Sequence, residues 1–236
     1  MSTASYPGRE LELFAAAAHW KQYVAAEIAP FLGRRVLEVG AGIGATTLAL
    51  ARDPNASWLC LEPDPRLAAT LGERIARGEL PPFCAAMCGA LADLSGPAEY
   101  DTILYVDVLE HIEDDVAEMR TAALRLARGG HLVVLSPAHA WLYSPFDEAV
   151  GHHRRYTRRT LAALGPKGVD LVRMRYVDSV GLLASLANRV ALKQSVPTLG
   201  QVMTWDRMLV PLSTWIDPIL GYRLGKSVIA VWRRRA

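Results

Sequence analysis

Residues 35–52, RVLEVGAGIGATTLALAR, decide the fold. A short apolar run, Arg35–Val39, meets Gly40-Ala41-Gly42-Ile43-Gly44 and then a stretch of helix formers, so the order is strand, glycine turn, helix. Glycines at 40, 42 and 44 let the backbone approach a ligand closely and leave N–H groups exposed at a helix start. Alone, such a turn is weak evidence, because Gly40-Ala41-Gly42-Ile43-Gly44-Ala45 would also pass as a dinucleotide fingerprint, and a turn made only for tight packing is the structural alternative.

The neighbouring segments repeat the alternation. Ser57–Leu61 (SWLCL) predicts a second strand, stopped by Glu62-Pro63-Asp64-Pro65 and followed by a helix through Arg77. Pro82–Cys88 predicts a third strand and Tyr100–Val106 a fourth, with a helix over Asp114–Arg128. His131–Leu135, opened by Gly129-Gly130, predicts a fifth. Continuously apolar strands alternating with helices imply a parallel sheet covered on both faces, with right-handed crossovers. The expected fold is α/β, a doubly wound, Rossmann-like, mostly parallel sheet whose ligands sit at the carboxyl ends of the strands. Here those ends are Gly40–Gly44, Glu62–Asp64, Asp107–His111 and Ser136–His139.

Upstream, residues 10–32 predict one helix ending at Pro30 and Gly33. Downstream, Thr157–Leu164 predicts a helix, Leu171–Val177 a sixth strand and Lys226–Arg233 a last one. The stretch between those two strands is longer than a typical loop. Ser179–Leu192 predicts a helix, and the remainder, with Pro197, Pro211, Pro218, Trp205 and Trp215, an inserted lid of short helices. A single domain is expected: helical cap 1–33, ligand-binding core 34–178, lid 179–224 and last strand 225–236.

Composition agrees. The chain has 236 residues, 51% hydrophobic and 21% charged, which excludes a disordered or fibrous chain. Lys+Arg 26 against Asp+Glu 24 gives no global field for nucleic acid. Three cysteines, Cys60, Cys84 and Cys88, read as reduced thiols, without the companion ligands a structural zinc needs. No secretion signal and no membrane span is expected, which points to the cytoplasm.

Two acidic residues sharpen the glycine turn. Glu38 stands two residues before it, and Glu62 ends the next strand, where a carboxylate can take ribose hydroxyls. Val36–Gly44, with Leu61-Glu62-Pro63-Asp64 and Asp107-Val108-Leu109-Glu110-His111-Ile112, resembles the class I S-adenosylmethionine-dependent methyltransferases over residues 34–140. The late strand fits that family's reversed seventh strand. The resemblance implies S-adenosyl-L-methionine as cofactor and S-adenosyl-L-homocysteine as product. It also implies that Glu38 organises the turn, that Gly40, Ala41 and Gly42 pass under the methionine and ribose, and that Glu62 binds the ribose. Pro63 or Asp64 would flank the adenine, Ala90 and Leu91 would present backbone to its edge, and Asp107 would offer its carbonyl to the amino group. A nicotinamide dehydrogenase shares the opening but has no use for the Asp107–Ile112 cluster or the reversed strand.

For the acceptor, Trp141–Thr160 (WLYSPFDEAVGHHRRYTRRT) resembles the Tyr…Asp…Gly-His-x-Arg-Arg-Tyr stretch of a bacterial subgroup, matched by Tyr143, Asp147, Gly151, His152, Arg154, Arg155 and Tyr156. A histidine suits proton removal near neutral pH. The structural alternative is that His152 and Arg154 pair with Asp147 to order the loop. Glu110 and His111 stand at a strand end as hydrogen-bond acceptor and cofactor neighbour. Relatives with a Leu-Glu-His stretch at this place include some that hold a divalent metal on nearby carboxylates, but no oxygen-ligand set is evident from spacing here, and no metal is expected. Tyr23 on the N-terminal helix, beside His19 and Trp20, is the candidate contact to substrate or sulfonium, against the alternative of a core aromatic.

Trp20, Trp141, Trp205 and Trp215 fall in segments expected to cover the acceptor, which suits a small, flat hydrophobic metabolite. The chain looks similar to bacterial secondary-metabolite methyltransferases, including those placing methyl on the indole ring carbon C3 of tryptophan-derived cyclic dipeptides. The alternative is O- or N-methylation of a sugar or lipid-linked saccharide, with the arginines on phosphate. The expected partner is a small-molecule substrate, not nucleic acid or an integral membrane, with a homodimer left open.

Overall fold

The computed structural model describes residues 10–96, 99–187 and 198–236. Its centre is a seven-stranded sheet in the order β3-β2-β1-β4-β5-β7-β6. The strands are β1 (Arg35–Val39), β2 (Ser57–Glu62), β3 (Cys84–Cys88), β4 (Tyr100–Val106), β5 (Leu126–Pro137), β6 (Val169–Val177) and β7 (Ser227–Arg234). β1 to β5 pair in parallel, while β7 runs antiparallel to both β5 and β6. This is the doubly wound α/β architecture with one reversed strand. Strand order turns back between β1 and β4, so their carboxyl ends open one crevice.

Period-two alternation along the buried strands feeds two cores. Val36, Leu104 and Val133 face one layer, built with Trp20, Tyr23, Val24 and Ile28 of α2 (Ala18–Ile28), Leu50 of α3 (Ala45–Leu50) and Leu71 of α4 (Pro65–Ala76). Leu37, Ile103 and Leu132 face the other, with Met119 and Ala122 of α5 (Asp115–Arg125). Between β5 and β6 come α6 (Pro145–Ala149) and α7 (Arg158–Ala163). Between β6 and β7 lie α8 (Ser179–Ala187), α9 (Leu199–Thr204), a π turn over Trp205–Leu209 and α10 (Val210–Ile219). The expected helix to Leu192 is described only to Ala187; residues 188–197, including Pro197, lie outside the described residues. Among the described residues no helix is long and apolar enough to cross a membrane.

Three boundaries differ from expectation for physical reasons. The single helix over 10–32 is two, α1 (Glu10–Ala15) and α2, because Asp206 from the insertion captures α2's first turn. Its carboxylate accepts the backbone N–H of His19 at 3.3 Å and of Trp20 at 2.8 Å, a capping role supplied from 186 residues away. Helix α5 stops at Arg125 and β5 begins at Leu126 rather than His131. Leu126 pairs with Tyr100, and a bulge follows, at which a Cβ on Gly130 would fall 2.9 Å from the Ala127 and Asp101 carbonyls. β3 begins at Cys84 rather than Pro82, because prolines 81 and 82 have no N–H to give the ladder.

Candidate active site

The three turn glycines have different tasks. All have positive φ, at 68°, 55° and 77° for Gly40, Gly42 and Gly44. A Cβ on Gly40 would lie 2.6 Å from Val108, and one on Gly44 would lie 2.7 Å from Leu71 and Leu80, so these two serve close packing. A Cβ on Gly42 would meet only the Leu11 side chain of α1, at 3.6 Å. Gly42 therefore faces the crevice, with α1 resting over it.

Glu62 holds the turn from beneath. Its Oε2 accepts the Gly42 N–H at 2.8 Å and its Oε1 the Asp64 N–H at 2.9 Å. Burial pushes its carboxyl up, against the two N–H bonds that favour the charge. Each oxygen keeps a second lone pair for a ligand hydroxyl. Asp64 is spent on capping α4, accepting from Arg66 and Leu67, which leaves exposed Pro63 as the residue free to flank a base. Ala90 is exposed beyond β3, whereas the Leu91 side chain belongs to the core. Glu38 lies beneath the turn, accepting from Thr47 at 2.7 Å and Trp58 at 2.9 Å, and burial pushes it up to about 7.

Asp107 closes the other side of the crevice. Its backbone is left-handed, with φ 55°, and its side chain keeps exposed surface although Lys21, Lys226 and His152 surround its carboxyl. Although the residue is exposed, desolvation at the carboxyl itself raises it against the pull of those three groups. Lys21 of α2 is pushed down by burial and donates to the Phe14 carbonyl; Lys226, also pushed down, lies 3.7 Å from the centre of the Trp205 ring. Neither lysine figured in the sequence reading, since residues 21, 107 and 226 meet only through the fold.

Beside Asp107 the acceptor loop forms a second cluster. Asp147, wholly buried, accepts from His152 Nδ1 at 2.8 Å and from Arg155 Nε and Nη2 at 2.8 and 3.0 Å. Burial works against its charge, but the His152, Arg155 and Ser144 hydrogen bonds outweigh it and hold the carboxyl below the usual range. The Asp147 carboxylate can only accept, so Nδ1 carries a hydrogen, and Nε2 faces Glu110 Oε1 at 3.9 Å. Glu110 is fully buried and pushed well up by that burial; Ser136 donates to its Oε2 at 2.9 Å. His111 packs edge-on to His152 with ring centres 4.6 Å apart, and burial lowers it to about 4.

Residues 10–171 match the family described as a methyltransferase domain. The chain belongs to that family. No curated protein matches it at a significant level. Among solved structures it is similar to the CcbJ methyltransferase from Streptomyces caelestis, at 15% identity and TM-score 0.63 over the whole of both chains. It is also similar to coclaurine N-methyltransferase bound to N-methylheliamine and SAH, at 15% identity and TM-score 0.62, covering 91% of this chain and 72% of that one. A third neighbour is a putative sarcosine dimethylglycine methyltransferase from Galdieria sulphuraria, at 18% identity and TM-score 0.60, covering 92% and 84%. The chain is an S-adenosylmethionine-dependent methyltransferase, and a turn whose Gly42 faces an acid-anchored crevice fits that cofactor.

Within this methyltransferase, several residues sit elsewhere than the sequence reading placed them. Tyr23 does not reach the crevice: its hydroxyl donates to Asp217 of α10 at 2.6 Å, and burial raises it far above the ordinary phenol range. The partner of Asp147 is Arg155, not Arg154, which instead pairs with Asp115 at 2.8 Å. Arg158 donates to the Tyr222 carbonyl and lies over the Tyr176 ring. Trp20 and Trp205 pack against each other in the core, and Trp141 and Trp215 are exposed. The aromatic wall over the site keeps Trp205 from the expected set and adds two phenylalanines, with Phe14 of α1 edge-on to Phe146 of α6 and to Trp205, each at 6.3 Å.

Proposed function

We propose that this methyltransferase acts on a small, flat, hydrophobic metabolite, seated between the Phe14–Phe146–Trp205 wall and the polar cluster of Glu110, His111 and His152. The narrower reading is methylation at C3 of an indole ring in a tryptophan-derived cyclic dipeptide or similar natural product. The observation that carries it is the Asp147–His152 pair, which turns an imidazole Nε2 toward the crevice beside buried Glu110.

When bound, S-adenosylmethionine supplies a methyl group activated on a positively charged sulfur. The protein's task is to align nucleophile and methyl and to exclude water, which can be worth several powers of ten. On an indole, His152 Nε2 accepts the ring N–H and takes that proton as C3 forms its new bond; Asp147 stabilises the resulting imidazolium. On a hydroxyl or amine, the same Nε2 takes the proton of the methylated atom.

A sugar or lipid-linked saccharide remains the second reading, with a specific observation against it. It needs arginines for phosphate, and Arg154, Arg155 and Arg158 are turned onto groups of the protein itself, which leaves the exposed Arg159 as the remaining arginine of the run. Incubation with methyl-labelled cofactor and separate pools of cyclic dipeptides, aromatic alcohols and amines, and saccharides decides between them. Label is expected in the cyclic-dipeptide pool; label confined to saccharides overturns the proposal.

A further inference from the structure

We propose that Glu110, His111 and His152 hold a divalent transition-metal ion, zinc by the character of the donors. Residues 110 and 111 lie 41 positions from residue 152, so spacing along the chain hides the set. The fold places one donor atom of each residue within 4.8 Å of the others.

The decisive atom is Glu110 Oε1. It is buried and has no hydrogen-bond partner among the described residues, whereas Oε2 is satisfied by Ser136. A buried polar atom without a partner is costly and calls for a ligand. Its neighbour, His152 Nε2, stands 3.9 Å away, too far for a hydrogen bond but within the span of two metal–ligand bonds of about 2.0–2.1 Å.

The groups around the cluster are those a metal site requires. His152 gives its other ring nitrogen to Asp147 at 2.8 Å, His111 is hydrogen-bonded to the Gly151 backbone, and Glu110 is tied to Ser136 at 2.9 Å. Such second partners set the tautomer and aim the donor of metal-binding imidazoles and carboxylates. Two imidazoles and one carboxylate suit zinc better than magnesium or calcium, and three protein ligands leave a position for water or an acceptor atom.

Ion binding draws on the same His152 Nε2 that the acceptor reading uses as its base, so one imidazole cannot fill both roles at once. If the ion is present, the Nε2 lone pair serves as ligand, and the acceptor heteroatom meets the metal instead. The test uses the full chain, purified without a polyhistidine tag, stripped with chelator and titrated with zinc chloride by calorimetry, with magnesium chloride as comparator. Elemental analysis after dialysis should give one zinc per chain. His111→Ala and Glu110→Gln should each weaken zinc at least tenfold, and Asp147→Asn should weaken it by a factor of about 10 through His152. Circular dichroism checks that each variant is folded, and His111→Gln replaces His111→Ala if that variant does not fold. Absence of stoichiometric zinc in the wild type, or undiminished zinc in His111→Ala or its replacement, overturns the proposal. A methyl-transfer assay that fails on every pool while zinc binds refutes the acceptor reading alone.

Discussion

Tyr23 donates its hydroxyl to Asp217 at 2.6 Å, across 194 residues. The same buried carboxylate accepts the backbone N–H groups of Asp178 at 2.7 Å and Ser179 at 3.0 Å, so one acid joins α2, the end of β6 and α10. Replacing Asp217 by Ala strands three buried donors and should cost about 3 kcal/mol or more, whereas Tyr23→Phe should cost about 1 kcal/mol. Urea unfolding followed by fluorescence measures both. A Tyr23→Phe protein with wild-type stability but weakened turnover would return Tyr23 to the active site.

Gly42→Val should abolish cofactor binding. Valine is strained at φ 55°, and its branches project into the crevice beside Leu11. Titration with S-adenosylhomocysteine should show at least a hundredfold loss of affinity, while the circular dichroism of the fold persists. Binding near the wild-type value would mean that the cofactor lies elsewhere.

Glu38 sets a pH dependence of stability. Its folded value of about 7 lies above the ordinary carboxylate range because burial disfavours the charge. The unfolded chain therefore releases this proton first as pH rises, and stability falls between about pH 4.5 and 7, then levels off. The full penalty is of the order of 3 kcal/mol. Glu38→Gln can still accept from Thr47 and Trp58 and removes the charge, so its melting temperature should lose this slope. A mutant whose slope between pH 5 and 8 matches the wild type would contradict the assignment.

His152→Ala should lower kcat by about a hundredfold or more while leaving cofactor affinity intact. Asp147→Asn should lower it less, because asparagine can still hold Nδ1–H but carries no charge to stabilise an imidazolium. Single-turnover rates separate this from slow product release. Unchanged turnover in His152→Ala would remove the residue from the chemistry.

Much of the fold was legible because its determinants are local. The apolar run into Gly40–Gly44, the acids at the ends of β1 and β2 and the alternation of strand and helix all lie within short windows. What escaped depends on contacts distant in sequence. The break between α1 and α2 is imposed by Asp206, and nothing at Ala16 or Ala17 announces it. Loop residues 141–160 stood out by their residue types, yet which arginine meets Asp147 is decided by the backbone path, and Arg155 wins. Glu110, His111 and His152 converge only because β4 and β5 are adjacent in the sheet. The tryptophans misled for the opposite reason: two are core and two are surface, and the wall they were expected to form belongs largely to phenylalanines.

The placement of β7 between β5 and β6 bears on how this protein is born. Among the described residues β6 has no other strand beside it, and residues 227–234 leave the ribosome well after residues 169–177. A nascent chain can wind β1 to β5 early, yet β6 waits with its ladder groups unpaired until the final segment threads in beside it. Premature termination before residue 227 would therefore yield a half-built, adhesive molecule with an open edge at β5, a target for chaperones rather than a smaller working enzyme.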